Sequence, residues 1–158
     1  MTMPDAKTHD AINIGIMIAI LAGLSYLMIW DKNPIAVRYL NIYTISLFSI
    51  SYLFGTFFLS PDLDIESTPY KRWGLLRFIW WPYKVIFKHR GFSHNPILGP
   101  LSIVANLAVI VALLLLLVGV DLHTVPLRFA IVATAGILLS IEVHIVSDFL
   151  VSKMRDPF

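Results

Sequence analysis

The chain has 158 residues, of which 58% are hydrophobic and 14% charged, and its mean hydropathy is +0.78. A soluble domain carries about 25% charged residues, and so short a chain cannot hide this apolar excess from water, which excludes an ordinary soluble enzyme and a disordered chain. A net charge of +2 is too small for a nucleic-acid surface, and with no cysteine there is no disulfide, thiolate site or thiol nucleophile.

The implied solvent is the bilayer, and the implied organisation is one transmembrane domain over residues 1–158. Residues 11–30, 39–60 and 97–120 are uncharged runs that meet the length of about 20 apolar residues needed to cross a membrane. Residues 129–151 are equally apolar apart from Glu142, His144 and Asp148. None of these runs alternates as barrel strands do. The predicted fold class is therefore all-α, a polytopic bundle of four transmembrane helices. The first run is read as a retained span, because it is long and Trp30-Asp31-Lys32-Asn33-Pro34 offers no small-residue cleavage pattern.

Connections 31–38 and 121–128 are short, and 61–96 is long. Pro61 ends the second span, and Asn95-Pro96 predicts a cap opening the third. Residues 72–88 are predicted as an amphipathic helix lying in the membrane interface. Lys84 and Lys88 each fall within about 20° of Arg77 at helical spacing. Trp73, Phe78, Trp80, Trp81, Tyr83 and Phe87 resemble headgroup-level anchors, and Pro82 is expected to kink the helix. The predicted partner is membrane lipid, with the basic stripe suited to anionic headgroups. Four spans place the N-terminus, the long loop and the C-terminus on one side. That side carries nine Lys and Arg against three on the other, which predicts a cell inner-membrane protein with both termini cytoplasmic.

Ionisable groups beside hydrocarbon are functional candidates. They fall in four clusters: His9-Asp10; Asp62-Leu63-Asp64 after Pro61; His89-Arg90-Gly91-Phe92-Ser93-His94; and His144 with Asp148. The four-span topology brings all four to one end of the bundle, on the cytoplasmic side. His144 and Asp148 are four apart and share a helix face. Asp62 and Asp64 would point the same way in an extended stretch, and Gly91 permits a turn that gathers His89 and His94. Imidazole and carboxylate suit divalent ions, zinc first, with manganese, iron or magnesium as alternatives. His9, Asp10, Asp62, Asp64, His89, His94, His144 and Asp148 are the candidate ligands. Eight exceed what one tetrahedral ion needs, so one or two ions are expected. Arg90 is placed to face developing negative charge, with Asp10, Asp64 or Asp148 as base. Asp10 also reads as a helix cap, and Ser93 and Ser147 as caps or as hydroxyls bonded to backbone. Glu142 lies about 200° around the helix from His144, and His123 lies on the far side.

Thr8-His9-Asp10, Leu59-Ser60-Pro61-Asp62-Leu63-Asp64, Arg72-Trp73-Gly74, Trp80-Trp81-Pro82-Tyr83, His89-Arg90 with Ser93-His94, and His144 with Asp148 together resemble a bacterial family of small, uncharacterised integral-membrane metal-binding proteins. More distantly, they are similar to inner-membrane metal-dependent hydrolases carrying Pro-Asp-x-Asp and His-Arg-Gly-x-[Ser/Thr]-His motifs. The resemblance spans roughly residues 8–150. It implies that these His and Asp residues are metal ligands and that the activity is hydrolysis of a phosphoester. The function expected is metal-dependent hydrolysis of a lipid or lipid-linked phosphoester at the membrane surface. A non-catalytic protein whose metal staples helix ends is the alternative, and a metal-ion transporter is third.

Overall fold

A computed structural model describes residues 6–30, 39–87 and 95–155 of the chain. The described residues form helices and turns with no strand. In chain order the α-helices are α1 (Ala6–Trp30), α2 (Ile42–Phe58), α3 (Thr68–Arg72), α4 (Trp81–Ile86), α5 (Leu98–Leu117) and α6 (Leu127–Arg155). Short 3-10 turns cover Pro61–Asp64, Gly74–Trp80 and Leu122–Thr124. Three helical stretches are long and apolar enough to cross a membrane: Lys7–Trp30, Leu98–Leu117 and Leu127–Val151. The second predicted span appears as the shorter apolar helix Ile42–Phe58.

The ends of these helices follow from local chemistry. Asn41 and Thr44 form a reciprocal capping box, each side chain accepting the other's backbone N–H at 3.1 Å. Asn95 caps the approach to α5, its Oδ1 accepting from the N–H groups of Ile97 (2.9 Å) and Leu98 (3.0 Å), as its place before Pro96 predicted. The far end of α5 closes where Gly119 turns at φ 73°. Its N–H reaches Leu116 O, and the Val120 N–H reaches Leu115 O, the paired bonds of a Schellman end.

The main helix–helix seam joins α2 to α6 through small residues. Gly55 faces Ser140, and Gly136 faces Ser51 and the Phe48 carbonyl. With no side chain on one partner at each crossing, the backbones approach closely, which is how helices associate where lipid removes the hydrophobic drive. Much of the apolar surface of α1, α5 and α6 stays exposed, including Ile18, Ile29, Leu101, Leu113, Leu117, Ile131 and Leu150. That is the pattern of helices solvated by hydrocarbon.

The predicted interfacial helix 72–88 is instead three short segments, with Lys88 outside the described residues. Gly74 adopts φ 54°, a left-handed conformation that ends α3 and starts a 3-10 stretch, and Pro82 sits in the first turn of α4. The broken path turns some of the predicted headgroup anchors inward. Trp80 and Tyr83 are fully buried and join Leu59, Leu63, Tyr70 and Ile103 in a core beneath the spans. Trp73 Nε1 donates to the Phe58 carbonyl at 2.9 Å, tying this layer to the end of α2. Leu75, Phe78, Trp81 and Ile86 face outward.

Candidate metal centre

The candidate site forms where α1, the end of α2 and α6 meet. His9 lies in the first turns of α1. His144 and Asp148 lie one turn apart in α6, and the Pro61–Asp64 turn follows α2. Ser60 shapes that turn: its Oγ accepts the Asp62 N–H at 3.2 Å, and Pro61 presets the next φ. The aspartates therefore sit on a 3-10 turn, not on the extended stretch expected. At three residues per turn, positions two apart point away from each other. Asp62 faces α6, where its Oδ2 is 3.6 Å from His144 Nε2. Asp64 is buried. Burial, together with the negative charges of Asp64 and Asp62 and only partly offset by Ser102, pushes the Tyr83 hydroxyl up to about 12. Tyr83 stays a neutral phenol at physiological pH.

His9 and His144 stack with ring centroids 4.2 Å apart and planes 24° from parallel. Asp148 serves both rings: Oδ1 is 3.0 Å from His9 Nε2, and Oδ2 is 3.5 Å from His144 Nε2. Ser60 Oγ is also 3.4 Å from His144 Nε2. One ligand atom from each of His9, His144 and Asp148 can be chosen so that all lie within 4.8 Å of one another, and both histidines are buried. Most of these contacts are longer than a normal N–H···O bond. They match the edge of a donor tetrahedron, about 3.3–3.4 Å when each N or O donor is 2.0–2.1 Å from a central ion. Two buried imidazoles and a shared carboxylate are thus close enough to one another that they could hold a metal ion. A Ser60–His144 nucleophile pair is disfavoured, because the carboxylates approach the same ring nitrogen as the serine and not the opposite one.

Asp10 is held elsewhere. Its carboxylate receives both Arg72 Nη atoms, at 2.6 and 3.4 Å, and Arg72 Nη1 also donates to the Phe57 carbonyl at 3.1 Å. This links α1, the C-terminal end of α2 and α3 beside His9. Asp10 lies inside α1, so it is not the helix cap expected from the sequence, and its carboxylate is engaged by Arg72. Arg72→Ala is expected to lower stability by about 2–3 kcal/mol, the value of charge-assisted bonds plus a carboxylate left without them, measured as thermal unfolding in detergent. Asn13 continues the same seam, with Tyr52 Oη donating to its Oδ1 at 3.1 Å and its own Nδ2 donating to the His9 carbonyl at 3.3 Å. His89, Arg90 and His94 lie outside the described residues. His123 sits in the connection before α6, about 30 Å along that helix from His144. Sequence reasoning missed the Arg72–Asp10 pair and the contact of Ser147 Oγ with His9 Nδ1 at 2.8 Å, and nothing near Arg72 or Ser147 in sequence announced its distant partner.

Fold and site together define an all-helical protein with membrane-length apolar helices and a buried His/Asp group able to hold a metal ion. The chain belongs to the family described as "Uncharacterized metal-binding protein (DUF2227)", whose model matches residues 4–127. That match takes in His9, Asp62, Asp64, His89 and His94 and stops before His144 and Asp148. Over 55 residues the chain is 56% identical to an "Uncharacterized protein" of Aquifex aeolicus (strain VF5), covering 34% of this chain and 39% of the relative. The match thus spans about two fifths of that relative's length. No solved structure matches.

Proposed function

We propose that the chain is a four-span membrane protein of the cell inner membrane, with an interfacial layer at residues 72–88, that hydrolyses a phosphoester of a lipid or lipid-linked substrate. One observation carries this reading: His9 of the first helix and His144 and Asp148 of the last meet at one end of the apolar helices. That end is taken as cytoplasmic from the Lys and Arg distribution. His9, His144, Asp148 and Asp62 hold the first ion, with Asp64, His89 and His94 available to a second. Zinc heads the order because imidazole and carboxylate without thiolate suit it, ahead of manganese, iron and magnesium. A divalent ion supplies Lewis acidity there and makes a nucleophile available at neutral pH. Asp10 is engaged by Arg72, and Arg90 meets negative charge developing on the substrate. Phe78 and Trp81, both outward-facing, hold an amphipathic substrate at headgroup depth. The similarity of Pro61-Asp62-Leu63-Asp64 and His89-Arg90-Gly91-Phe92-Ser93-His94 to the motifs of metal-dependent hydrolases supports the same reaction class.

The test is turnover of phosphomonoesters, phosphodiesters and phosphorylated lipids in mixed micelles. Wild type is expected to hydrolyse one class, and His144→Ala to lose more than about 100-fold, beyond the loss usual for groups behind the ligands. A metal-replete protein without turnover on any class would contradict the hydrolase.

A structural staple is the second reading, favoured by how completely His144 Nε2 is enclosed by Ser60, Asp62 and Asp148. A closed ligand set suits a structural ion. Transport ranks third: the first three spans offer only uncharged polar groups, Asn13, Asn41 and Asn106, and Asn13 and Asn41 are engaged in fixed bonds.

A further inference from the structure

Ser147 is buried between α6 and α1, next to the histidines proposed as cation ligands, and the role inferred for it rests on that proposal. Its hydroxyl donates to the His144 carbonyl at 2.8 Å, one turn back on the same helix. The same oxygen lies 2.8 Å from Nδ1 of His9. A hydroxyl has one hydrogen, and a carbonyl only accepts. With that hydrogen committed to His144 O, Ser147 Oγ meets His9 solely as an acceptor. Nδ1 of His9 therefore carries a hydrogen, and in the neutral ring Nε2 carries the lone pair. That nitrogen faces Asp148 Oδ1 at 3.0 Å, and the other oxygen of the same carboxylate faces His144 Nε2. Two acceptors facing each other at this distance need a proton or a cation between them.

We propose that Ser147 is a positioning residue: it fixes the hydrogen of His9 on Nδ1 and thereby commits Nε2 to the cation shared with His144 and Asp148. The bond to the His144 carbonyl favours this arrangement, since the serine can turn its hydrogen toward His9 only by giving up that bond. Partners behind metal ligands act in this way, and their loss typically weakens binding 10–100-fold.

The experiment is side-chain 15N NMR of histidine-labelled full-length protein in micelles, without and with Zn2+, His9 being assigned from His9→Gln. In wild type, Nδ1 of His9 is expected to be protonated in both conditions, and only Nε2 to respond to Zn2+. Ser147→Ala is expected to show mixed His9 tautomers and a 10–100-fold loss of Zn2+ affinity in chelator competition, and Ser147→Thr, which keeps the hydroxyl, to restore both. An unprotonated Nδ1 in wild type would overturn the proposal, as would Ser147→Ala with unchanged tautomer and affinity. A wild type that takes up no Zn2+ would contradict the ligand reading instead, and the metal-free spectrum would still decide the tautomer.

Discussion

Gly136→Leu is expected to abolish assembly of α2 against α6. A Cβ at Gly136 would lie 2.7 Å from the Phe48 carbonyl oxygen and 3.1 Å from the Tyr52 backbone nitrogen, besides meeting Ser51 Oγ. Two of these obstacles are backbone, so no rotamer change relieves them, and α2 must move away. Overpacking ordinarily costs about 1–3 kcal/mol, and a whole leucine against fixed backbone exceeds the upper figure. Movement of α2 would also carry Ser60 and Asp62 away from His144, coupling the seam to the site. Gly15→Leu is the matched control, because nothing lies within 4 Å of a Cβ at Gly15 and its surroundings are open. Size-exclusion profiles and thermal unfolding in detergent check the pair. Equal behaviour of the two variants would contradict the close crossing.

Asp148→Ala is expected to eliminate metal binding at this site, more than about a 100-fold loss of affinity, a larger effect than removing a group behind the ligands. One carboxylate addresses both imidazoles, so its loss removes a ligand and leaves two buried ring nitrogens without their common partner. His144 Nε2 keeps Ser60 and Asp62 beside it, while a buried His9 Nε2 left unsatisfied costs about 1–3 kcal/mol. Metal removal from wild type is expected to act in the same direction, because an ion bound only by the folded state stabilises it by about 2.7 kcal/mol at a free concentration of 100 times Kd. Chelator titration followed by thermal unfolding checks both. A chelator-induced fall in melting temperature that is present in wild type and absent in Asp148→Ala is the expected pattern, and an equal fall in both would contradict it.

Features set by local chemistry were legible in the sequence. Apolar runs marked the helices, the spacing of His144 and Asp148 put them on one face, and Asn95 before Pro96 marked the entry to α5. Features set by a partner distant in the chain were not. Nothing near Asp10 shows that Arg72, 62 residues away, takes its carboxylate, so the pair His9-Asp10 read as two ligands where the structure gathers one. Asp62 and Asp64 were expected to point together because an extended chain was assumed. The serine cap and proline that wind the turn were in view, but either backbone is compatible with them. The interfacial helix failed at Gly74, whose left-handed conformation a glycine permits but does not announce. Ser147 was read as a hydroxyl bonded to its own backbone, which it is, while its second bond spans 138 residues.

The most direct measurement is the divalent-metal content of purified protein by elemental analysis, comparing wild type with His9→Ala and His123→Ala. His9 stands on the first helix, and the other members of its group stand on the last. A cation held between them is expected to leave with the His9 imidazole and to be indifferent to His123. His9→Ala should therefore carry one ion fewer than wild type, and His123→Ala the full complement. An unchanged ion content in His9→Ala would contradict the cation site that joins the two ends of the chain.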